Sequence, residues 1–184
     1  MGRGYVDAAS GTGNESRNTG DTDGLGNRSG MASGTNGLIG INYRGIENFW
    51  GNTWEWVDGI NIKADYNPWI ADHGFASDTF TAPYEDTGLT LLSSSDVYYS
   101  DIHFDSDNNF FYLPKKTGGS SDSHFYDNYW INTRNRVVRA GGPWTADSRA
   151  GLFAWHLTYS SADSFRNHGS RALLWIETED VTEL

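Results

Sequence analysis

The chain carries five histidines and 24 acidic residues, which are the side chains best suited to acid–base or metal chemistry. The histidines are His73, His103, His124, His156 and His168. None of them has the HxH or HExxH spacing of a metal site, and no motif pairs His156 with a nucleophile that it could activate as a general base. Carboxylate pairs are abundant, but no spacing selects one as a glycosidase pair. We therefore expect no catalytic residue and no metal ligand.

One acidic stretch, Asp105–Asn109, has the sequence DSDNN and is similar to the start of an EF-hand calcium loop. Phe110 stands at the sixth loop position, where the motif needs glycine, and Lys116 stands at the twelfth, where it needs glutamate. These two departures argue against an EF-hand. A calcium site of another kind in the acidic stretch is left open, and no other cofactor is expected.

The composition of the chain further limits the sites and the partners that it can have. The chain has no cysteine, which excludes disulfides, zinc–thiolate sites and thiol catalysis. Its net charge of −11 disfavours binding to nucleic-acid phosphates and to anionic membranes. No run of about 18 apolar residues indicates a membrane span, and no apolar signal segment follows Met1.

Tryptophans dominate the segment Tyr43–Ile62, which must position whatever site the chain has. Trp54 and Trp56 are two residues apart, so a strand would place both on one face and Glu55 on the other. The spacing of Ile46, Phe49 and Trp50 predicts a helical turn before them. Gly51 would end that turn with a positive φ angle, which Asn52 also tolerates.

Glu55 needs a partner if its face of the strand is covered as well, because a buried carboxylate stays charged only when it is paired. The residues predicted to pair with it are Arg136, Arg139 and Arg171. The main interpretation is an ion pair that holds the fold, and a ligand contact is the alternative.

Two regions differ in composition. Residues 1–36 form a leader rich in Gly, Ser, Thr and Asn, which is typical either of a flexible segment or of an ordered, loop-rich cover. Residues 37–184 are predicted to form one domain. Leu38–Tyr43, Thr87–Leu92 and Arg136–Ala140 are predicted strands in that domain, and 172–177 is a predicted closing strand.

Strict alternation of side chains marks Gly151–Thr158 as a strand with two unlike faces. Phe153, Trp155 and Leu157 share the face predicted to be inward. Around the other face, Thr145–His168 mixes Tyr, Ser, Asn, His and Arg in the manner of an adaptable binding surface. The predicted ligand-contacting residues are Thr145, Asp147, Arg149, Ala154, His156, Thr158, Tyr159, Phe165, Asn167 and His168. An ordinary solvated face is the alternative.

Three short motifs carry a resemblance to a known family. Gly51–Trp56 reads GNTWEW, Arg136–Trp144 reads RVVRAGGPW, and Gly169–Arg171 reads GSR. Their order resembles that of the C-type lectin fold of the formylglycine-generating-enzyme type, and in particular its subgroup of phage and prophage structural proteins. The enzymes of that family depend on cysteines, so the resemblance implies the fold and not the catalysis.

The resemblance implies an α+β fold, C-type-lectin-like and loop-rich, with short antiparallel strands and few helices. It also implies a phage virion protein that displays Thr145–His168 to a host surface protein or glycan, as variable proteins of diversity-generating retroelements do. A homotrimer would suit a fibre tip, and the chain would reside in the bacterial cytoplasm during assembly. The alternatives are a capsid or tail decoration protein that binds other virion proteins, and a polysaccharide-degrading enzyme.

Overall fold

The computed structural model describes residues 2–9, 16–93, 96–104, 112–120, 122 and 127–170. These residues form a structure that is nearly all β. The strands are β1 (Gly30–Met31), β2 (Ile41–Tyr43), β3 (Ile46–Glu47), β4 (Trp54–Ile62), β5 (Pro68–Ile70), β6 (Glu85–Asp86), β7 (Val97–Phe104), β8 (Tyr112–Thr117), β9 (Asn128–Ile131), β10 (Arg136–Gly141), β11 (Gly151–Leu157) and β12 (His168–Gly169).

The predicted α+β class, with its C-type-lectin-like arrangement, is wrong. Across the described ranges the helical segments are two 3-10 turns of three residues each, Asp23–Leu25 and Asp147–Arg149. The physical reason is that β-branched and aromatic residues fill the long periodic segments, whereas glycine and asparagine punctuate the rest. Neither kind of segment propagates a helix.

The predicted helical turn before Gly51 is a β-hairpin instead. Strands β2 and β3 are joined by Arg44 and Gly45, which have φ angles of 51° and 88°. Positive φ at both central residues is the geometry of a tight hairpin turn. The prediction for the next turn is confirmed, since Gly51 and Asn52 have φ angles of 79° and 66°.

A nine-stranded sheet forms the body and curls into a half-barrel. Its strand order is β6-β5-β4-β10-β11-β9-β7-β8, with β12 pairing alongside β4. Most neighbours are antiparallel, but β11–β9 and β12–β4 are parallel. Strands β1, β2 and β3 form a separate small sheet.

One face of the large sheet carries the apolar core. The core residues are Ile60, Ile62, Ile70, Leu91, Tyr99, Leu113, Tyr129, Ile131, Val138, Trp155 and Leu157. Trp155 and Leu157 confirm the predicted inward face of β11. The core therefore lies on the side of β10 and β11 opposite to Arg139 and His156, which alternate with it along the two strands.

The tryptophan-rich strand β4 and the turn that contains Gly141 and Gly142 meet in the structure. Trp54 and Trp144 are both buried, β10 pairs with β4, and the Trp144 N–H donates to the Asn52 carbonyl at 3.1 Å. Gly141 has a φ angle of 90°, and a Cβ atom there would lie 3.4 Å from the Trp50 Cα atom.

The described residues of the leader pack on this junction. The Ala8 N–H donates to the Trp144 carbonyl at 2.9 Å, and the Val6 carbonyl accepts the Asp147 N–H at 2.9 Å. Val6 is buried, and the Asn52 N–H donates to the Tyr5 carbonyl at 2.8 Å. These bonds favour the ordered cover over the flexible segment for residues 4–8. The division of the chain after residue 36 stays a prediction.

The remaining expectations have different outcomes. The strand predicted at Arg136–Ala140 is confirmed as β10, whereas Thr87–Leu92 contains no strand. The closing strand at 172–177, the EF-hand-like stretch at 105–109 and Arg171 lie outside the described residues. Within the described residues, no helix has the length and apolar character needed to cross a membrane.

Candidate ligand-binding surface

Four side chains form a row across the second face of the large sheet. The strand register places Trp56 of β4 opposite Arg139 of β10, Arg139 opposite His156 of β11, and His156 opposite Trp130 of β9. Neighbouring strands lie about 4.8 Å apart, so residues in register on one face must touch. The sequence thus stacks a cation and an imidazole between two indoles.

Arg139 is the centre of this row and is only 2% exposed. Its Nη2 atom donates a hydrogen bond to His156 Nδ1 at 2.9 Å, and its Nη1 atom donates to His168 Nε2. Because a guanidinium has no acceptor, both imidazoles must present a lone pair to it and must therefore be neutral. Protonation of either histidine would bring two cations and two donors together.

Aromatic faces supply the rest of the Arg139 environment. The guanidinium carbon lies 4.0 Å from the Tyr159 ring centroid, 4.9 Å from that of Trp54 and 5.8 Å from that of Trp56. These distances are within the range of cation–π attraction, which is strongest where water is excluded. We call Arg139, His156, His168, Trp54, Trp56, Trp130 and Tyr159 the Arg139 cluster.

The pKa values of the cluster follow from this packing. Burial lowers the pKa of Arg139 from 12.5 to about 10, so the guanidinium stays charged at neutral pH. Burial, and then the charge of Arg139, lower the pKa of His156 to about 3 and that of His168 to about 4. The cluster is therefore a cation that donates hydrogen bonds to neutral imidazoles, while the Asp163 carboxylate acts on it electrostatically from outside the cluster.

A loop after β11 covers the cluster and reaches solvent. The Tyr159 ring contacts Phe165 at 5.1 Å and His168 at 5.6 Å between centroids. Phe165 is 49% exposed, although its ring also contacts His168 at 5.0 Å. The loop thus presents an apolar ring to solvent from a base that is rigidly packed.

The predicted ligand-contacting residues fall into two groups rather than one surface. Thr145, Asp147 and Arg149 lie before β11, whereas Thr158, Tyr159, Phe165, Asn167 and His168 lie after it. The seven residues of β11, about 20 Å of strand, separate the first group from Thr158 and Tyr159. Asn167 and His168 lie alongside Trp54, where the Trp54 N–H donates to the Asn167 carbonyl at 2.8 Å. Only the second group adjoins the Arg139 cluster.

Two of the residues predicted to contact a ligand lie within the sheet. Ala154 is 0% exposed, so its predicted outward placement is wrong. His156 is half-buried among Trp54, Trp130 and Tyr159. The reason is that the sheet is covered on both faces, by the core on one side and by the cluster and its loop on the other.

Of the three arginines predicted to pair with Glu55, Arg136 and Arg139 make other contacts, so these two predicted pairs are wrong. Arg139 donates its hydrogen bonds to the two histidines of the cluster, and the Arg136 Nη2 atom donates to the Thr133 carbonyl at 3.4 Å. Glu55 Oε1 accepts a hydrogen bond from the Thr53 hydroxyl at 3.0 Å. The third predicted partner of Glu55, Arg171, is not among the described residues.

Two concavities open beside the loop after β11. One, of about 600 Å³, is bounded by Trp56, Phe75 and Tyr84 together with Ser161. The other, of about 820 Å³, is more open, and Tyr159 lies on its wall. Both adjoin the second group of predicted residues, so this end of the molecule is the candidate ligand-binding surface.

Sequence reasoning missed two parts of this surface. Trp130 was not singled out, although an aromatic residue in a strand beside β11 would be expected to contact His156. Arg139 was considered only as a carboxylate partner. The signal that could have found its role is a cationic residue inside the apolar strand RVVRA, at a position where tryptophan and histidine lie in the neighbouring strands.

No group of three or more His, Asp or Glu side chains that could hold a metal ion occurs within the described part of the chain. Compared with protein-family models, curated proteins and solved structures, the chain matches none of them. The resemblance therefore rests on its three short motifs.

Proposed function

We propose that this chain is a ligand-binding module of a phage virion, and that the loop after β11 contacts a protein or glycan of the host surface. The observation that carries the binding role is the exposed Phe165 ring, which lies beside Tyr159 above the buried Arg139 cluster. Aromatic rings on a rigid base offer contact area at little entropic cost. The virion setting comes from the motif resemblance alone.

The decoration alternative assigns the Gly-rich leader to docking on another virion protein. Residues 4–8 instead bond to the turns that contain Asn52 and Trp144. That contact favours display of the loop over use of this part of the leader as a docking arm. The polysaccharide-degrading alternative is not favoured by a specific contact of this kind.

The experiment is attachment of labelled protein to a panel of bacterial cells from different envelope classes. The test variant combines Phe165→Ala with Tyr159→Phe, which removes one exposed ring and one hydroxyl but keeps a ring over Arg139. We expect attachment to at least one envelope class, reduced about tenfold or more in the variant.

Phe104→Ala is the matched control, because Phe104 is 62% exposed and lies on β7, away from the loop. Its attachment should equal that of the unaltered protein. Equal attachment by the test variant, with equal unfolding midpoints, would rule out this loop as the contact surface.

A further inference from the structure

Two arginines face the loop after β11 across the larger concavity. Arg134 precedes β10 and Arg136 begins it, and both line the 820 Å³ groove together with Thr158, Tyr159 and Ser160. The groove thus brings basic side chains to the predicted ligand-contacting loop. This placement is notable in a chain of net charge −11.

Neither arginine forms an ion pair with any carboxylate of the described ranges. Elsewhere, Arg3 pairs with Asp7, Arg17 with Asp21, and Arg149 with Asp96. Among the residues that the structure describes, Arg136 makes one long hydrogen bond, to the Thr133 carbonyl, and its buried Nε atom has no hydrogen-bond partner. The two guanidinium groups are therefore available to an outside acceptor.

The two arginines also disfavour each other. Burial, followed by the nearby charge of Arg134, lowers the pKa of Arg136 below its usual value, and the Asp163 carboxylate opposes this with a smaller effect. An anion placed between two like charges would offset this repulsion and would accept hydrogen bonds from both. A planar guanidinium suits a carboxylate in particular, since the two groups can form paired hydrogen bonds.

The backbone geometry of Arg134 also supports a functional role for this residue. Arg134 has a φ angle of 124°, a region that glycine populates readily and that other residues rarely adopt. Such strain persists where the surrounding structure enforces it, and it is concentrated at functional sites. An arginine at this position therefore costs stability, which supports a functional role for its side chain.

The remaining polar groups of the groove suit a ligand with many hydroxyls. The Asp163 carboxylate accepts hydrogen bonds from the Ser160 N–H at 2.7 Å and from its hydroxyl at 2.9 Å. Asp78 accepts one from the Ser161 hydroxyl. Both carboxylates are thus partly engaged within the protein, while Thr158 and Asn135 add a hydroxyl and an amide to the groove.

The smaller concavity lies on the other side of the Ser161–Asp78 hydrogen bond. Ser161 lines the smaller concavity and Asp78 lines the groove. Trp56 and Phe75 give the smaller concavity apolar faces, so it suits an uncharged ring. A chain of linked rings could occupy both sites.

We propose that the groove binds a carboxylate-bearing sugar unit of an oligosaccharide, held by Arg134 and Arg136, and that the smaller concavity takes a neighbouring uncharged unit. This inference rests on the proposed function, because it names the ligand class of the same surface. It commits to a glycan, and a protein carboxylate or a free phosphate becomes an outcome of the test.

The experiment is titration calorimetry of the full chain with oligosaccharides that contain uronic or sialic acids. Each is compared with its methyl ester, which keeps the skeleton and removes the charge. We expect the acidic form to bind about tenfold or more tightly than the ester. Affinity should also fall as salt is raised, because the contact is ionic and partly exposed.

The test variants are Arg134→Gly and Arg136→Gln, and Lys116→Gln is the control that makes the same change in charge. Lys116 is exposed on β8, at the far edge of the sheet. We expect each arginine variant to lose about tenfold or more in affinity, and the control to change by less than about twofold. Arg134→Gly should keep or raise the unfolding midpoint, since it relieves the backbone.

Equal binding of acid and ester, equal binding by the arginine variants, or no binding of any acidic oligosaccharide would overturn the inference. So would inorganic phosphate, or a peptide with a free terminal carboxylate, that binds as tightly and with the same dependence on both arginines. Cell attachment that depends on Phe165 but not on Arg134 or Arg136 would leave the proposed function standing and remove only the ligand class. Attachment that is indifferent to Phe165 would count against the function itself.

Discussion

The two faces of β10 and β11 are both covered, but by side chains of different chemistry. On one face, Val138, Trp155 and Leu157 join an apolar core. On the other, Arg139 and His156 are enclosed by aromatic rings and bond to each other. Burial of the first face gains free energy by removing apolar surface from water, at any pH.

The second face depends on protonation as well as on burial. Arg139 is stabilised there only while His156 and His168 are neutral acceptors. This difference shows that burial alone does not define a core, because a strand can have a pH-insensitive face and a titratable face one residue apart. The loop that carries Tyr159 and Phe165 rests on the titratable face.

The largest expected effect is on the apolar face. Trp155 is 3% exposed, and its Nε1 atom donates to the Tyr112 hydroxyl at 2.7 Å. We expect Trp155→Ala to lower the free energy of unfolding by about 3–5 kcal/mol, measured by urea denaturation at pH 7.5. Phe165→Ala, which removes a half-exposed ring from the loop, is the control and should cost less than about 1 kcal/mol. Similar losses for the two would mean that the loop is as much a core element as β11.

The second largest effect is a dependence of stability on pH, which arises from His156 on the titratable face. The pKa of His156 is about 3 in the folded protein and 6.5 in the unfolded chain, so only the unfolded chain takes up a proton as pH falls below 6.5. Stability should therefore fall on acidification, by on the order of 2 kcal/mol between pH 6.5 and pH 5 for this group. His156→Gln keeps an acceptor for Arg139 and should flatten the dependence in denaturation curves recorded across this range.

Protonation of Asp127 has the opposite effect on stability as pH falls, so this residue provides an internal check on the assignment of the histidines. Burial raises the pKa of this carboxyl from 3.8 to about 6, while the Phe153 N–H donates to it at 2.7 Å. Between pH 6 and 3.8 the folded protein therefore holds the extra proton, which offsets part of the loss caused by the histidines. Asp127→Asn should steepen the acid loss. A dependence that is the same in all three proteins would contradict the assignment of these groups.

The smallest effect on the free energy of unfolding is expected at Leu152, near the start of β11. Leu152 is 39% exposed on β11. We expect Leu152→Ala to change the free energy of unfolding by less than about 0.5 kcal/mol in the same urea assay. A loss comparable to that of Trp155→Ala would show that this position is covered in solution by something that the described residues do not include.

Period-two patterning located β4, β10 and β11, because alternation of apolar residues is read directly from the sequence. It also placed Trp54 and Trp56 on one face. The helical turn before Gly51 was mispredicted because three apolar residues at a 3/4 spacing fit a hairpin equally well once Arg44 and Gly45 adopt positive φ angles. Local spacing does not distinguish the two structures.

The site was predicted less well than the strands. The loop residues Thr158, Tyr159, Phe165 and His168 do come together beside Arg139, but Thr145 and Asp147 lie at the other end of β11. A sequence segment shows that residues are consecutive, not that they share a surface. The pairing of Arg139 with histidines rather than with Glu55 depends on the register of four strands, which requires long-range contacts that a single sequence does not reveal.

The contacts of Val6 and Ala8 have a consequence for the order in which the protein is completed. These early residues bond to Asp147 and Trp144, which a ribosome adds much later. Contacts between distant parts of a chain form slowly, since a long loop must close first. The segment around Val6 must therefore wait for the later strands, so its junction with Trp144 can close only after the chain has been synthesised as far as Asp147.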